Sequence, residues 1–458
     1  MLKYLILILC LLGCETRQQL FKGGAVAADH YLASQAGVEI LEQGGNAVDS
    51  AVATSFALSV VRPFSCGIGG GGFMLIDSPT MVPVALNYRE TAPKQVDKRF
   101  FENNNSRIGG TAVGIPGTVA GLLAAHNRFG KLSREQVLAP AIRLAKSTFK
   151  QDKAYQSAVE SLKPILDKNP EYANIDFDSF NKNIQQNKVL QLISDEGANG
   201  FYLGEVAQSI VDATDGHLTL EDLENYAPRW ETPLQIDIGG GNVIVAMPPP
   251  SSGGIAIAQI FGMLSRLEAA RYQSEEFSQL LVEAMKHAFA DRAEHLADAV
   301  FVDVPVFELI DASYLDELAS RIVLGETQDT YSYGSIIPAP DDDGTSHLCV
   351  VDKDGMMVSA TETINTAFGS LVLVKPYGFM LNNEMDDFSS PSGSNIYGLQ
   401  QSDKNLPEPG KRPLSSMSPT IVEHDGVPVL AVGASGGPRI ISGVVQVLLN
   451  ILWFDDHP

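Results

Sequence analysis

In "DDDGTSHLCVVDKDG" (341–355) a threonine follows a glycine at the head of a run that reads as strand, tight Asp354-Gly355 turn and returning strand "MMVSA". A threonine hydroxyl is a weak nucleophile until a base takes its proton. A free α-amine on the same residue, with a pKa near neutrality, can be that base. The amine exists only if the chain is cut between Gly344 and Thr345. Glycine at 344 leaves the scissile carbonyl sterically open, so attack by the Thr345 hydroxyl could itself make the cut. A Gly-Thr step is also ordinary loop punctuation, and local chemistry alone leaves both readings standing.

Other stretches offer rival chemistry. "GASGG" (433–437) matches G-x-S-x-G between an expected strand and an expected helix, the setting in which Ser435 would serve as a serine-hydrolase nucleophile. In that arrangement the acid and the histidine follow the serine, and only 21 residues follow Gly437. The adjacent backbone N–H groups of Gly436 and Gly437 at a helix start suit a different task, stabilising an oxyanion. "GIGGGG" (67–72) has the spacing of a dinucleotide loop but runs into strand-like "FMLID" rather than a helix, so a turn permitting close backbone approach is expected instead. Strand alternation gives His347 a structural role rather than that of a base for Thr345. His287 and His295 are eight apart with no H-E-x-x-H, and no metal chemistry is expected.

The elements that must position these residues are readable in outline. A helix from Ala33 stops at "GGN" (44–46), and "AVDSAVATSFALSVV" (47–61) is apolar on nearly every side, as an interior helix must be. Two more helices are expected between 115 and 146, and a polar helical excursion on the surface over 150–200. An amphipathic helix is expected over 275–298, with Phe277, Leu280, Leu281, Ala284, Ala288 and Leu296 on one stripe and its charges facing water. Strands are expected at 347–351 and 356–361, then apolar runs near 371 and 379, a second Asp-Gly hairpin in "TIVEHDGVPVLAVG" and a final helix over 440–453. Helices and strands come in blocks, which favours stacked sheets with helical outer layers over a parallel βαβ fold.

Composition narrows the classes. The chain has 458 residues, 45% hydrophobic and 19% charged, enough for a large core. Lysine and arginine number 32 against 55 acids, for a net charge of -23, which repels a phosphate backbone and excludes nucleic acid as an expected partner. Residues 1–14, "MLKYLILILCLLGC", have the layout of a secretory signal, too short to span a bilayer. "LLGC" also resembles the bacterial lipobox, which would make Cys14 a lipidated anchor; an ordinary signal with an incidental cysteine is the alternative. Either way the protein is expected to be exported: periplasmic, extracellular or held at a membrane as a lipoprotein. Cys66 and Cys349 alone remain beyond the leader, and buried free thiols are expected.

One ordered series of motifs is more specific than any of these alone. From about Ala25 to Phe454, "GGNAVDSAVATSFAL", "CGIGGGGFMLI", "NYRETAP", "VGIPGTVAGL", "MPPPSSGG", "EAMKHAFADR", "GTSHLCVVDKDG", "TETIN", "NNEMDDFS", "KRPLSSMSPTIV" and "GASGG" make the chain resemble the γ-glutamyltransferases, also called glutathione hydrolases, of the N-terminal-nucleophile hydrolase superfamily. The resemblance implies an α/β (α+β) fold, a four-layer αββα sandwich built from two fragments of one precursor: a large subunit (15–344) and a small one (345–458) freed by cleavage between Gly344 and Thr345. It implies that Thr345 is the nucleophile, that Thr363 holds its hydroxyl or amine, and that Gly436 and Gly437 bind the oxyanion. Asn365, Glu384 and Asp387 would accept from the substrate's α-ammonium, while Arg89, Ser415 and Ser416 would donate to its α-carboxylate; Arg89 paired with neighbouring Glu90 is the plainer alternative. It implies acyl transfer from glutathione and other γ-glutamyl amides to water, amino acids or dipeptides, with no cofactor. A relative that only binds γ-glutamyl compounds is the second reading. Family members continue beyond "NILWF" through further strands and helices, so the 345–458 fragment is expected to be a shortened small subunit.

Overall fold

The computed structural model describes residues 23–267, 274–328, 344–390, 395, 398, 399 and 401–454. The leader with Cys14 and the acids Asp341, Asp342 and Asp343 lie outside them. In chain order the strands are β1 (Gly24–Ala28), β2 (Gly71–Ser78), β3 (Met81–Asn87), β4 (Arg229–Glu231), β5 (Leu234–Gly239), β6 (Asn242–Ala246), β7 (Thr345–Asp352), β8 (Met357–Thr363), β9 (Leu373–Val374), β10 (Phe379–Met380), β11 (Thr420–His424) and β12 (Val427–Val432). The helices of twelve or more residues are α1 (Tyr31–Glu42), α2 (Ala47–Val61), α3 (Thr118–Phe129), α4 (Arg134–Lys146), α5 (Ile184–Glu196), α6 (Gly253–Leu264), α7 (Glu275–His295) and α8 (Arg439–Leu452). No helix among the described residues is long and apolar enough to cross a membrane.

Two antiparallel sheets stack face to face. The first has the order β1-β7-β8-β2-β3-β4 and the second β12-β11-β6-β5. Alternation along each strand decides which layer a side chain joins. On β8, Val358 and Ala360 point to the helical layer of α1 to α5, whereas the Ser359 hydroxyl reaches across to the second sheet, donating to the Val432 carbonyl at 3.1 Å and accepting from Thr420 N at 3.1 Å. Phe73, Leu75 and Ala85 of the first sheet pack on Ile421, Val422 and Ile244 of the second, whose outer face is covered by α6, α7 and α8. The order helix, sheet, sheet, helix is the expected sandwich. In the first sheet β7 and β8 lie between β1 and β2, so the two strands that follow the Gly344–Thr345 bond are flanked on both sides by strands that precede it.

Local chemistry explains the elements that hold the site. All fifteen residues of α2 are buried, and Asn46 and Asp49 form a reciprocal capping box at its start. The β7–β8 hairpin turns at Gly355, whose φ of +83° is the left-handed value glycine adopts without strain. "GIGGGG" is a close-approach turn: a Cβ on Gly70 would stand 2.1 Å from the Thr363 carbonyl oxygen, and one on Gly69 would stand 2.1 Å from that of Met380. These contacts seat the start of β2 against the end of β8. His347 is structural, with Nδ1 2.9 Å from Thr361 Oγ1 and Nε2 3.0 Å from Cys349 Sγ. Burial pushes its pKa down to about 3, so it stays neutral. Two expectations need correction. The 150–200 excursion is not wholly superficial, because Val189, Leu190 and Ile193 of α5 join the core. The charges of α7 do not all face water: Glu283, Asp291 and Arg292 are buried, each with a polar partner that a helical wheel does not reveal.

Between the sheets, fully buried Asp77 of β2 lies beside Glu423 of β11. Burial, reinforced by the Glu423 carboxyl, pushes Asp77 up to about 7. The folded chain thus keeps a proton that an unfolded aspartate releases near its ordinary value of about 3.9. Stability is therefore expected to fall as pH rises from about 4 to about 7, and to lose nothing further above that. Asp77→Asn cannot ionise, so its melting temperature should exceed the native one by roughly 2 °C at pH 8 and converge with it near pH 4. A difference that did not grow with pH across thermal scans would contradict this origin.

Candidate active site

The end of β8 lies beside the start of β7, and their register pairs Thr345 with Thr363. The Oγ1 atoms of these threonines are 3.2 Å apart, and the Thr363 hydroxyl donates to the Gly344 carbonyl at 2.7 Å. Asn365 N donates to the same Thr363 oxygen at 2.8 Å. A hydroxyl has one proton to give and two lone pairs to receive. With its proton on Gly344 O, Thr363 must accept from Thr345, so the Thr345 hydroxyl is polarised toward Thr363 while Thr363 polarises the neighbouring carbonyl. Asn365 holds its place with a φ of +75°, a left-handed value asparagine tolerates better than most residues, and its Nδ2 donates to Asn383 O at 3.0 Å.

Thr345 and Thr363 open into a tight cavity of about 20 Å³. Arg89, Asn365, Glu384, Asp387, Ser415, Ser416 and Gly437 line it, together with Arg292, Leu399, Met417 and Ile440. The residues expected from sequence to meet at one site do meet. Gly436 stands next to the wall with a φ of +114°, just ahead of α8, and among the described residues neither its N–H nor that of Gly437 donates to a protein acceptor. Ser435 is exposed and is not among the lining residues, so the elbow-serine reading gains no support.

Arg89 is the electrostatic centre. It follows β3, and its backbone carbonyl is held by the Tyr226 hydroxyl at 2.9 Å and by Arg412 Nε at 3.2 Å. Its guanidinium forks onto Glu384 through Nη1 and onto Asp387 through Nη2, the latter at 2.6 Å, while Glu90 stands off at 3.7 Å. The plain Arg89–Glu90 pairing is therefore not the main contact. Burial opposes the Arg89 charge, but Glu384, Asp387 and Glu90 outweigh it and hold the group above the ordinary arginine value. Burial pushes Glu90 up to about 8 against the pull of Arg89. Burial raises Glu384 and Asp387 as well, with Arg89 opposing.

Arg292 was not foreseen. It projects from α7 into the same cavity, with Nε donating to Ser252 Oγ at 3.0 Å and Nη2 to Ser416 Oγ at 3.4 Å. Its Nη1 is buried without a hydrogen-bond partner. Burial lowers its pKa to about 10, which still leaves it charged. The sequence held a signal: Arg292 extends the apolar stripe of Ala284 and Ala288 by one further turn, and an arginine on a buried stripe needs a reason. Ser252 ties this arginine to the opposite wall, because its N and Oγ both donate to the Ser415 carbonyl, at 2.8 and 2.7 Å.

The site thus offers a paired hydroxyl nucleophile, two unengaged backbone N–H groups and a buried patch carrying both charges. A family profile described as "Gamma-glutamyltranspeptidase" matches residues 33–458. The chain is 41% identical to the glutathione hydrolase proenzyme of Pseudomonas aeruginosa over 454 residues, covering 95% of this chain and 80% of that protein. It resembles the solved structure of gamma-glutamyltranspeptidase from Pseudomonas nitroreducens complexed with L-DON, with a TM-score of 0.63 and 36% identity over 69% of this chain and 98% of that one. It also resembles a cephalosporin acylase from Bacillus halodurans, with a TM-score of 0.79 and 26% identity over 97% and 84% of the two chains.

Proposed function

Because the chain belongs to the gamma-glutamyltranspeptidase family, we propose that it cuts itself between Gly344 and Thr345 and then transfers the γ-glutamyl group of glutathione or a related amide to water, an amino acid or a peptide. The observation that carries this reading is the relay from Thr345 Oγ1 through Thr363 Oγ1 to Gly344 O. In the precursor the Thr345 oxygen adds to the Gly344 carbonyl carbon, with Thr363 donating to the developing oxyanion. The C–N bond breaks, the hydroxyl proton passes to the departing nitrogen, and water hydrolyses the resulting ester. This leaves residues 15–344 and 345–458 as the large and small subunits.

The new α-amine then serves as base. It takes the Thr345 hydroxyl proton as the oxygen attacks the γ-carbonyl, and returns it to the leaving amine. The N–H groups of Gly436 and Gly437 receive the oxyanion, a donor typically contributing about 2.7–4 kcal/mol. The threonyl ester is resolved by water or by an acceptor amine. Arg89, the open Nη1 of Arg292 and the hydroxyls of Ser415 and Ser416 suit an α-carboxylate. Glu384, Asp387 and Asn365 suit an α-ammonium. A zwitterionic head group exchanges into the existing Arg89–Glu384–Asp387 network without changing its net charge, which keeps the desolvation cost low.

Purification followed by gel electrophoresis and N-terminal sequencing tests the first step, and release of p-nitroaniline from γ-glutamyl-p-nitroanilide tests the second. Two bands, the smaller beginning Thr-Ser-His, are expected. Turnover by a chain in which residues 344 and 345 remain joined would falsify the scheme. Gly344 supplies a sharper test, since a Cβ there would stand 1.9 Å from the Asn365 carbonyl oxygen. Gly344→Ala must displace its own carbonyl from Thr363, so a time course of band appearance should slow at least about tenfold. Export is the third part of the proposal, with the mature protein either anchored through Cys14 or released after ordinary signal cleavage; the mass of the mature N-terminus decides between them.

A further inference from the structure

Glu362 stands between Thr361 and Thr363 on β8, yet alternation turns its side chain to the other face of the sheet, toward α2. It is 1% exposed and does not line the cavity. Its Oε2 accepts from Ser55 Oγ of α2 at 2.5 Å, and its Oε1 accepts from the Tyr88 hydroxyl at 3.0 Å. Tyr88 immediately precedes Arg89, and its own backbone is locked to Gly72 of β2 in both directions, at 3.0 and 3.3 Å. In register, Glu362 lies between Gly72 on one side and Ser346, the residue after Thr345, on the other. Packing is tight: a Cβ on Gly72 would stand 2.9 Å from Tyr88 Cε2 and 3.1 Å from Glu362 Cγ.

We propose that Glu362 is a positioning residue: one carboxylate, touching no substrate, holds the nucleophile's partner Thr363 and the anchor Arg89 in fixed relation by accepting from α2 and from Tyr88 at once. The inference rests on the γ-glutamyl-transfer reading of the cavity. The ionised carboxylate accepts from both partners, one on each oxygen. Protonation turns one oxygen into an O–H, so the bond to Ser55 or to Tyr88 must reverse direction or weaken. The titratable groups facing Glu362 are Tyr88, and Cys66 from the turn between α2 and β2. Burial and then the Glu362 charge raise both, Tyr88 well above its ordinary value and Cys66 to about 12, so both stay neutral while Glu362 ionises. Arg62 and Asp29 act on Cys66 as well, in opposite directions. Burial brings Glu362 itself to about 7, against the stabilising bonds from Ser55 and Tyr88. Acidification through that value should loosen one side of the clamp.

The test compares native protein, Glu362→Gln and Tyr88→Phe on γ-glutamyl-p-nitroanilide from about pH 5.5 to about pH 9. The native acid limb of kcat/KM should be steeper than one proton allows, because both the Thr345 α-amine and Glu362 must lose a proton. Glu362→Gln keeps the shape but has one acceptor, so its limb should fall to a single proton, with kcat/KM roughly tenfold lower at the alkaline end. Tyr88→Phe frees Arg89 alone and should raise KM several-fold while kcat holds. A Glu362→Gln profile that superimposes on the native one after scaling overturns the inference, as does an unchanged KM in Tyr88→Phe. Should Glu362→Gln fail to mature, Tyr88→Phe decides alone. Native protein that matures yet releases nothing overturns the parent reading; active native protein with superimposable profiles overturns this inference only.

Discussion

Thr345→Ala is expected to remain a single uncut chain and to release p-nitroaniline at least about 10⁴-fold more slowly than the native protein, a loss typical of removing a covalent nucleophile. One oxygen is asked to do two jobs, breaking the Gly344–Thr345 bond and accepting the γ-glutamyl group, so its removal stops both. The fold should survive, since the side chain makes one hydrogen bond, to Thr363, and losing such a bond costs about 1 kcal/mol. A melting temperature within about 4 °C of the native one, with one band on a gel, is the expected result. Thr345→Ser keeps an oxygen in place and should mature, more slowly. Cleavage of the alanine variant at the same bond, or turnover within tenfold of native, would show that another group attacks.

The second large effect belongs to Arg89. Its guanidinium answers two buried carboxylates at once, Glu384 and Asp387. Lysine carries the same charge as a compact point and cannot fork between them. Arg89→Lys should therefore fold, mature and show KM for γ-glutamyl-p-nitroanilide raised about a hundredfold, with kcat changed far less. Arg89→Leu removes the cation bonded to both acids and leaves only the field of Arg292 on Asp387, and breaking a buried pair in this way costs about 3–5 kcal/mol. That variant should unfold at markedly lower temperature and accumulate little cleaved product. Measuring KM on the lysine variant and melting temperature on the leucine variant separates recognition from stability. An Arg89→Lys protein with native KM would remove Arg89 from the binding site.

Much of the scaffold was legible because its signals are local. The unbroken apolar run of α2, the Asp354-Gly355 turn and the strand after "GIGGGG" each follow from a few neighbouring residues. The site was legible in a different way: the motifs identified its members, but their arrangement depends on contacts between residues about 300 positions apart, such as Arg89 with Asp387. No periodicity encodes that distance. Hence nothing local showed that Arg89 bridges Glu384 and Asp387 directly. Arg292 was hidden because a helical wheel assigns charges to water by default, and Ser252, Ser416 and Asp387, from other segments, make its burial tolerable. Glu362 was assignable to the helical face by alternation, yet nothing local named Ser55 or Tyr88 as its partners.

The two strands of the first sheet that come after residue 344 are enclosed by strands that come before it. A precursor of this design has to assume its finished shape while still one polymer, because neither piece alone has a complete sheet to fold onto. Scission then removes a tether without removing a contact. The joined chain solves an assembly problem that two separately synthesised polypeptides would meet as a slow, concentration-dependent encounter, with unpaired strand edges open to aggregation in the meantime. Maturation therefore doubles as a proofreading step, since a chain that has interleaved its strands wrongly never brings the hydroxyl to the bond it must break.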